Sequence, residues 1–251
     1  LASTLKFEGV FTLQAKGDGL VKTLFADMTS AGNLRGYCGF DPEACMPVAD
    51  DLAAAMPADV TTLMGSGYIA FTVDQGATGG RYQGIVDLKG DSLGEAATTW
   101  FANSEQLDTL VVAAANLQDG HWQATALLLQ RIAADGGGSG SQTDKELSDD
   151  AWHTAKTLME SVRRDELVDP LLAPETLIFR LFNAMEPHVA SARPVQDKCR
   201  CSPQRVENML SQLDPAEADD LADQDDHIEI TCEFCKISHR FHKSVIGSSI
   251  G

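Results

Sequence analysis

The sequence predicts an α+β protein in three parts: an N-terminal mixed sheet-and-helix domain, a helical linker and a small C-terminal unit organised by cysteines. Three observations predict it. Apolar residues alternate with polar ones, broken by glycine turns, through most of residues 1–134. Helical periodicity takes over between Asp149 and Met185. Four of the 6 cysteines then fall into two tight pairs near the end, Cys199-Arg200-Cys201 and Cys232-Glu233-Phe234-Cys235.

In TLKFEGVFTLQAKG, Leu5, Phe7, Val10 and Leu13 read as apolar positions of a strand, and Gly17-Asp18-Gly19 as the turn that ends it. GYIAFTVDQG and RYQGIVDLKGDS form two strands joined by the loop DQGATGG. SLGEAATTWFANSEQL follows as a helix, because Leu93, Ala96, Ala97, Trp100 and Phe101 share one face. TLVVAAANL and WQATALLLQRI are two more strands around the turn QDGH. Strands gathered around a helix define an α+β domain.

Gly136 to Ser141 and the acidic run after it break the pattern and mark a flexible boundary. Beyond it, Trp152, Ala155, Leu158, Met159 and Val162 recur at helical spacing. Ile178, Leu181, Phe182 and Met185 do so again after Pro174, a first-turn proline. Two short amphipathic helices are expected, with apolar faces that either pack on the first domain or form a switchable segment. In the last part SPQRVENMLSQL is a helix with Ser202 as its N-cap and Pro203 at its first position. PAEADDLADQ gives an acidic helix or turn, HIEITCEF a strand into the second cysteine pair, and HRFHKSVI the exit from it. The expected divisions are 1–134, 135–196 and 197–251.

Composition narrows the function. The chain of 251 residues is 43% apolar and 22% charged, which fits a globular protein with sizeable cores. No run of about 18 apolar residues or more predicts a membrane span. A net charge of −18 argues against general nucleic-acid binding, which needs clustered Lys and Arg. There is no signal-peptide pattern at the start, and the chain opens on Leu1 without Met, so an N-terminal truncation is expected. A reducing cytoplasmic setting with a thiolate metal site fits the cysteine usage better than a secreted disulfide framework. No phosphate-binding loop, dinucleotide fingerprint or H-E-x-x-H motif points to an enzyme.

A unit of about 55 residues has a small core and needs a cross-link. Zinc held by Cys199, Cys201, Cys232 and Cys235 supplies one: two pairs on tight turns close a tetrahedral shell at about 2.3 Å per Zn–S bond. The rival readings are a purely structural zinc knuckle, a disulfide set, unligated thiols, or His239 or His242 replacing one cysteine. Lys198, Arg200 and Lys236 are the expected neighbours that favour thiolate. Thiolates with adjacent partners are also oxidant targets, so the site reads as a switch, folded when reduced and unfolded when oxidised. Cys38 and Cys45 read as two unrelated thiols.

At these residues the chain resembles the redox-regulated heat-shock protein 33 family, also called the 33 kDa chaperonin family. The C-x-C, about thirty residues, C-x-x-C signature stands here as CRC and CEFC, and CSPQRVENML resembles the stretch after the first pair. TLKFEGVFTLQAKGDG, GSGYIAFTV, RYQGIVDLKGDSL, SEQL and LIFRLF resemble family segments in order, so the likeness spans nearly the whole chain. The family has residues before TLKFEG; it has an acidic HEE where NAMEP stands here (Asn183 to Pro187), and often Gly where Lys236 stands.

The resemblance implies a redox-regulated, ATP-independent holdase chaperone and no enzyme. Reduced, it holds one Zn2+ per chain through the four cysteines and is inactive. Oxidised, Cys199 joins Cys201, Cys232 joins Cys235, zinc leaves and the small unit unfolds. The linker then detaches, apolar surface binds unfolding clients, the protein forms a homodimer, and clients pass to the seventy-kilodalton heat-shock chaperone system. Trp152, Leu158, Leu181 and Phe182 are the candidate client-binding residues. A zinc-ribbon accessory protein for nucleic acid or transcription machinery is the alternative, and a C-x-x-C thiol oxidoreductase is a further one.

Overall fold

The computed structural model describes residues 2, 7–43, 59–76, 79–132, 142–188 and 190–245. Cys45 and the glycine-rich stretch from Gly136 to Ser141 lie outside the described residues.

Among the described residues, strands and short helical segments build the N-terminal part. β1 (Val10–Gly17), β2 (Val21–Thr29), β3 (Asn33–Phe40), β4 (Gly67–Asp74) and β5 (Arg81–Asp87) form one antiparallel sheet, joined at its edge by β8 (Gln196–Asp197). The order is β5-β4-β1-β2-β3-β8, and β8 runs parallel to β3. A short helix, α1 (Val60–Met64), precedes β4, and Asp59 caps it by accepting from the Thr62 N–H. β6 (Thr109–Gln118) and β7 (His121–Gln130) make a separate two-stranded sheet.

Alternation sorts the side chains of β1, β2 and β4 to two faces. Phe11, Ala15, Ile69 and Phe71 face inward and meet Trp100 and Phe101 of the following helix. That helix, α2 (Leu93–Trp100), starts at Ser92, which accepts from the Glu95 N–H at 3.1 Å. The expected long helix stops at Trp100; Phe101–Glu105 form a π-helical turn and Gln106 takes a left-handed φ of 53°. The ring of Trp100 lies 4.5 Å from Phe71 and 5.0 Å from Phe101. Gly84 of β5 permits this, since a Cβ there would run into Trp100 Nε1. Thr98 ties α2 to β6, accepting from the Val111 N–H at 3.0 Å.

The linker helices are α3 (Gln142–Glu160), α4 (Arg164–Leu167) and α5 (Pro174–Phe182). The helical segment therefore starts at Gln142 rather than Asp149. Leu167 and Leu177 pack against Ala114 of β6, with Val112, Leu127, Val162, Leu172 and Leu181 around them. Arg164 donates to the Ala115 carbonyl and Arg180 pairs with Glu166 at 3.1 Å. Leu167, Leu177 and their apolar neighbours are thus covered by the β6–β7 sheet, while Leu147, Leu171 and Phe179 of the same segment are exposed. Among the described residues, no helix is long and apolar enough to cross a membrane.

The C-terminal unit holds α6 (Pro203–Leu210), α7 (Pro215–Leu221) and the hairpin β9 (His227–Thr231) and β10 (Ser238–His242). Ser202 caps α6, accepting from the Arg205 N–H at 3.2 Å, and Pro203 opens it, as the sequence predicts. Leu210 and Ile228 are its fully buried pair, with Val206, Leu213, Ile230 and Phe241 against them.

Candidate metal centre

Two backbone devices bring the cysteine pairs together. β8 docks beside β3 through the Gln196 N–H on the Gly32 carbonyl (2.9 Å) and the Lys198 N–H on the Leu34 carbonyl (3.0 Å), which delivers Cys199 to the sheet edge. Cys201 follows just before the cap of α6. The second pair sits in the turn between β9 and β10, closed by the Lys236 N–H on the Cys232 carbonyl (2.8 Å) and the Cys232 N–H on the Ile237 carbonyl (2.9 Å). That turn needs a left-handed residue, and Lys236 fills it at φ 57°. This is the position where Gly is expected from the resemblance, and Gly adopts such a φ without strain.

Cys199 Sγ lies 3.7 Å from Cys232 Sγ, and Cys201 Sγ lies 3.3 Å from Cys235 Sγ. All four sulfurs lie within 4.8 Å of one another and are half-buried. A tetrahedral shell with metal–sulfur bonds of about 2.3 Å has edges of about 3.8 Å, so the spacing fits one metal ion. Burial opposes ionisation of Cys199, but the Cys201 N–H and thiol, the Arg35 guanidinium and the Cys232 thiol outweigh it and bring it down to about 6. The hydrogen bond with Cys235, burial and the neighbouring Cys199 push Cys201 up to about 12. Negative charge on closely packed sulfurs is mutually repulsive, and a cation in their midst removes that penalty. The donor set and its electrostatics therefore suit a metal ion.

Each predicted neighbour has its place. The four cysteines cluster without histidine: His242 Nδ1 bonds Ser244 Oγ at 3.0 Å, and the His239 ring lies 6.4 Å from that of Phe241. Arg200 and Lys236, expected to favour thiolate, give their hydrogen bonds to carboxylates, and Lys236 remains within electrostatic reach of Cys232. Arg200 Nη2 donates to Asp27 Oδ2 at 2.6 Å, and Lys236 Nζ to Glu233 Oε2 at 2.6 Å. The cation at the sulfurs is Arg35, whose Nη1 donates to Cys199 Sγ at 3.9 Å. Trp152, Leu158, Leu181 and Phe182 are half-buried on the linker helices, while Ala155, Met159, Leu167 and Leu177 are its enclosed residues. Cys38 lies exposed on β3.

The sequence reading missed the surface that receives the second cysteine pair. Phe25 and Asp27 of β2 stand opposite Tyr37 and Arg35 of β3, on the face away from Leu24 and the main core. Phe234, between Cys232 and Cys235, places its ring 5.3 Å from Phe25 and 6.0 Å from Tyr37. The Arg35 guanidinium lies 3.9 Å from the centre of the Phe234 ring. Only the strand pairing of Asp27 with Arg35 could have signalled this face, through two opposite charges in facing strands.

An N-terminal sheet, the helices after it and a C-terminal cluster of four thiols define a mixed α+β protein whose cysteines could hold a metal ion. Residues 1–242 match the family described as Hsp33 protein. The chain is 36% identical over 239 residues to the 33 kDa chaperonin of Caulobacter vibrioides, covering 94% of this chain and 76% of that protein. It is 34% identical over 242 residues to the 33 kDa chaperonin of Ectopseudomonas mendocina, covering 96% and 75%. The crystal structure of the 33 kDa chaperonin from Thermotoga maritima shares the fold, with a TM-score of 0.73 at 18% identity over 96% of this chain and 77% of that one. The chain belongs to the Hsp33 family of chaperones.

Proposed function

We propose that this chaperone is an ATP-independent holdase switched on by oxidation of Cys199, Cys201, Cys232 and Cys235. The observation that carries the reading is the convergence of four sulfurs within 4.8 Å in a unit whose fully buried core is Leu210 and Ile228. The ion is zinc, one per chain, and when bound it closes the two pairs into one shell. In each pair a thiolate attacks peroxide. The O–O bond breaks, a sulfenic acid forms and hydroxide leaves. The neighbouring thiolate then attacks that sulfur, the S–S bond forms, and a second hydroxide leaves. Protonation of both hydroxides gives two waters, so each pair loses two electrons to one peroxide.

Disulfides Cys199–Cys201 and Cys232–Cys235 leave no thiolate to hold the ion, and the unit 197–251 loses its cross-link. Unfolding there withdraws Phe234 from Phe25 and Tyr37, and the linker 135–196 loses the anchor at its C-terminal end. Its apolar face, with Trp152, Leu158, Leu181 and Phe182, and the β6–β7 surface beneath then meet unfolding clients in the cytoplasm. The active form is a homodimer, and clients pass on to the seventy-kilodalton chaperone system.

The test is suppression of thermal aggregation of a client by reduced and by peroxide-treated protein, with released zinc titrated in parallel. Activity only after oxidation, with about one zinc released per chain, is expected. Equal activity in both states would overturn the switch. Salt-dependent RNA or DNA binding would favour a zinc-ribbon accessory protein, and turnover of a dithiol substrate a thiol oxidoreductase.

A further inference from the structure

Asp27 is an unusual residue for the middle of a strand. Its side chain is 1% exposed, yet it carries a carboxylate. Arg35 Nε donates to its two oxygens at 3.2 and 3.0 Å, and Arg35 Nη2 donates at 2.8 Å. Arg200 Nη2 donates to the same carboxylate at 2.6 Å from across the chain. A carboxylate so enclosed is tolerated only while its cations stay in place. The residue between the first pair of cysteines, Arg200, and an aromatic residue between the second, Phe234, therefore converge on one spot of the first domain: the carboxylate of Asp27 and the guanidinium that Asp27 holds. That guanidinium also touches Cys199 Sγ. A cavity of about 490 Å3 beside it is lined by Arg35, Phe234, Cys199 and Cys235, and so by one cysteine of each pair.

We propose that Asp27 and Arg35 are positioning residues for the four-thiol site: they hold the two pairs face to face from the first domain and thereby set how readily the sulfurs are oxidised. The inference rests on the reading that the four sulfurs hold an ion and are the oxidant's target. Four thiolates around a divalent ion carry a net charge of −2, and the Arg35 guanidinium faces that charge. A hydrogen bond to a thiolate draws density from the sulfur and makes it a poorer nucleophile toward peroxide. Asp27 fixes the guanidinium in that place and, through Arg200, fixes the backbone between Cys199 and Cys201. Outer partners of this kind orient the ligands and tune the site. With the clamp broken, the pairs separate more easily and the cavity at Cys199 and Cys235 opens wider to the oxidant. Oxidation is then faster and ion affinity lower.

The experiment uses the full chain, loaded with cobalt(II) or zinc, with no client present. Variants are Asp27→Asn, Arg35→Met, Arg35→Lys, Arg200→Gln and the double variant Asp27→Asn with Arg200→Gln. Three quantities are read: metal affinity by competition with a chromogenic chelator, the thiolate-to-cobalt absorption band, and the rate of thiol loss under peroxide. The expected result is an intact cobalt band, metal affinity lowered by about tenfold or more in D27N and R35M, and thiol loss accelerated in both. R35K, which keeps a cation at the sulfur, should recover part of the affinity. The D27N and R200Q effects should be strongly less than additive, because they break one contact. Unchanged affinity and oxidation rate in R35M and R200Q, or additive effects in the double variant, would overturn the inference. Should D27N fail to fold, R200Q alone decides, since its side chain lies at the edge of the contact with 27% exposure. Because no client enters, a negative result here leaves the holdase reading standing, and an inert chaperone in the aggregation assay leaves this one standing.

Discussion

The N-terminal domain and the C-terminal unit hold their folds by different means. The first buries Phe11, Phe71, Trp100 and Phe101 in one continuous cluster, with Ile69, Met64 and Val111 closing it. The second encloses only Leu210 and Ile228 among its described residues. Burial of a large apolar side chain contributes about 1.5–3 kcal/mol, so the first cluster offsets far more of its domain's ordering cost than two residues offset in the small unit. The small unit therefore leans on what is not apolar: its sulfurs, its helix cap and its contact with Asp27 and Arg35.

The strongest way to break this contrast is to chelate, under reducing conditions, the metal proposed for the four sulfurs. Loss of a binding energy on the order of 10 kcal/mol should abolish amide-exchange protection at Leu210 and Ile228 and leave that of β1 and β4 intact. Protection retained at Ile228 after chelation would end the comparison. Next in size is Trp100→Ala, which empties the densest part of the first cluster. It should cost that domain about 3–5 kcal/mol in thermal or denaturant unfolding, with metal stoichiometry unchanged. Ser202→Ala removes the cap of α6 and should lower the stability of the metal-loaded small unit by about 1 kcal/mol, read as an earlier melting transition for that unit alone. Smallest is Lys236→Gly. It relieves a left-handed side chain but gives up the exposed contact with Glu233, so a slight rise in the unit's melting temperature is expected. A marked fall would show that Lys236, 5.6 Å from the Tyr37 ring, holds the two parts together.

Local rules made some elements legible and left others hidden. β1, β4, the β6–β7 hairpin and α6 carry alternation, turn glycines or a cap that act within a few residues, and the sequence shows them. β2 and β3 escaped because VKTLFADMT places a charge at a buried position and NLRGYCGF spaces glycines through a strand, so neither presents a clean period. β8 is two residues long and exists only because β3 lies beside it. The same distinction governs the site. Cysteine spacing is local and points to the four sulfurs. Their cation comes from Arg35, 164 positions before Cys199, and the chain between carries no trace of that meeting. Lys198, Arg200 and Lys236 are neighbours in sequence, yet the strand pairing of β2 with β3 decides which guanidinium arrives.

The strand pairing between the tail and the sheet is two residues long. Among the described residues, Gln196 and Asp197 are the ones that pair with β3 on its outer side, and Gly32 and Leu34 give their carbonyls to that seam. Were the tail to peel away, the sheet would be left with a raw margin of backbone donors and acceptors. Such a margin takes up any extended polypeptide, whatever its side chains, because amides and carbonyls are common to all of them.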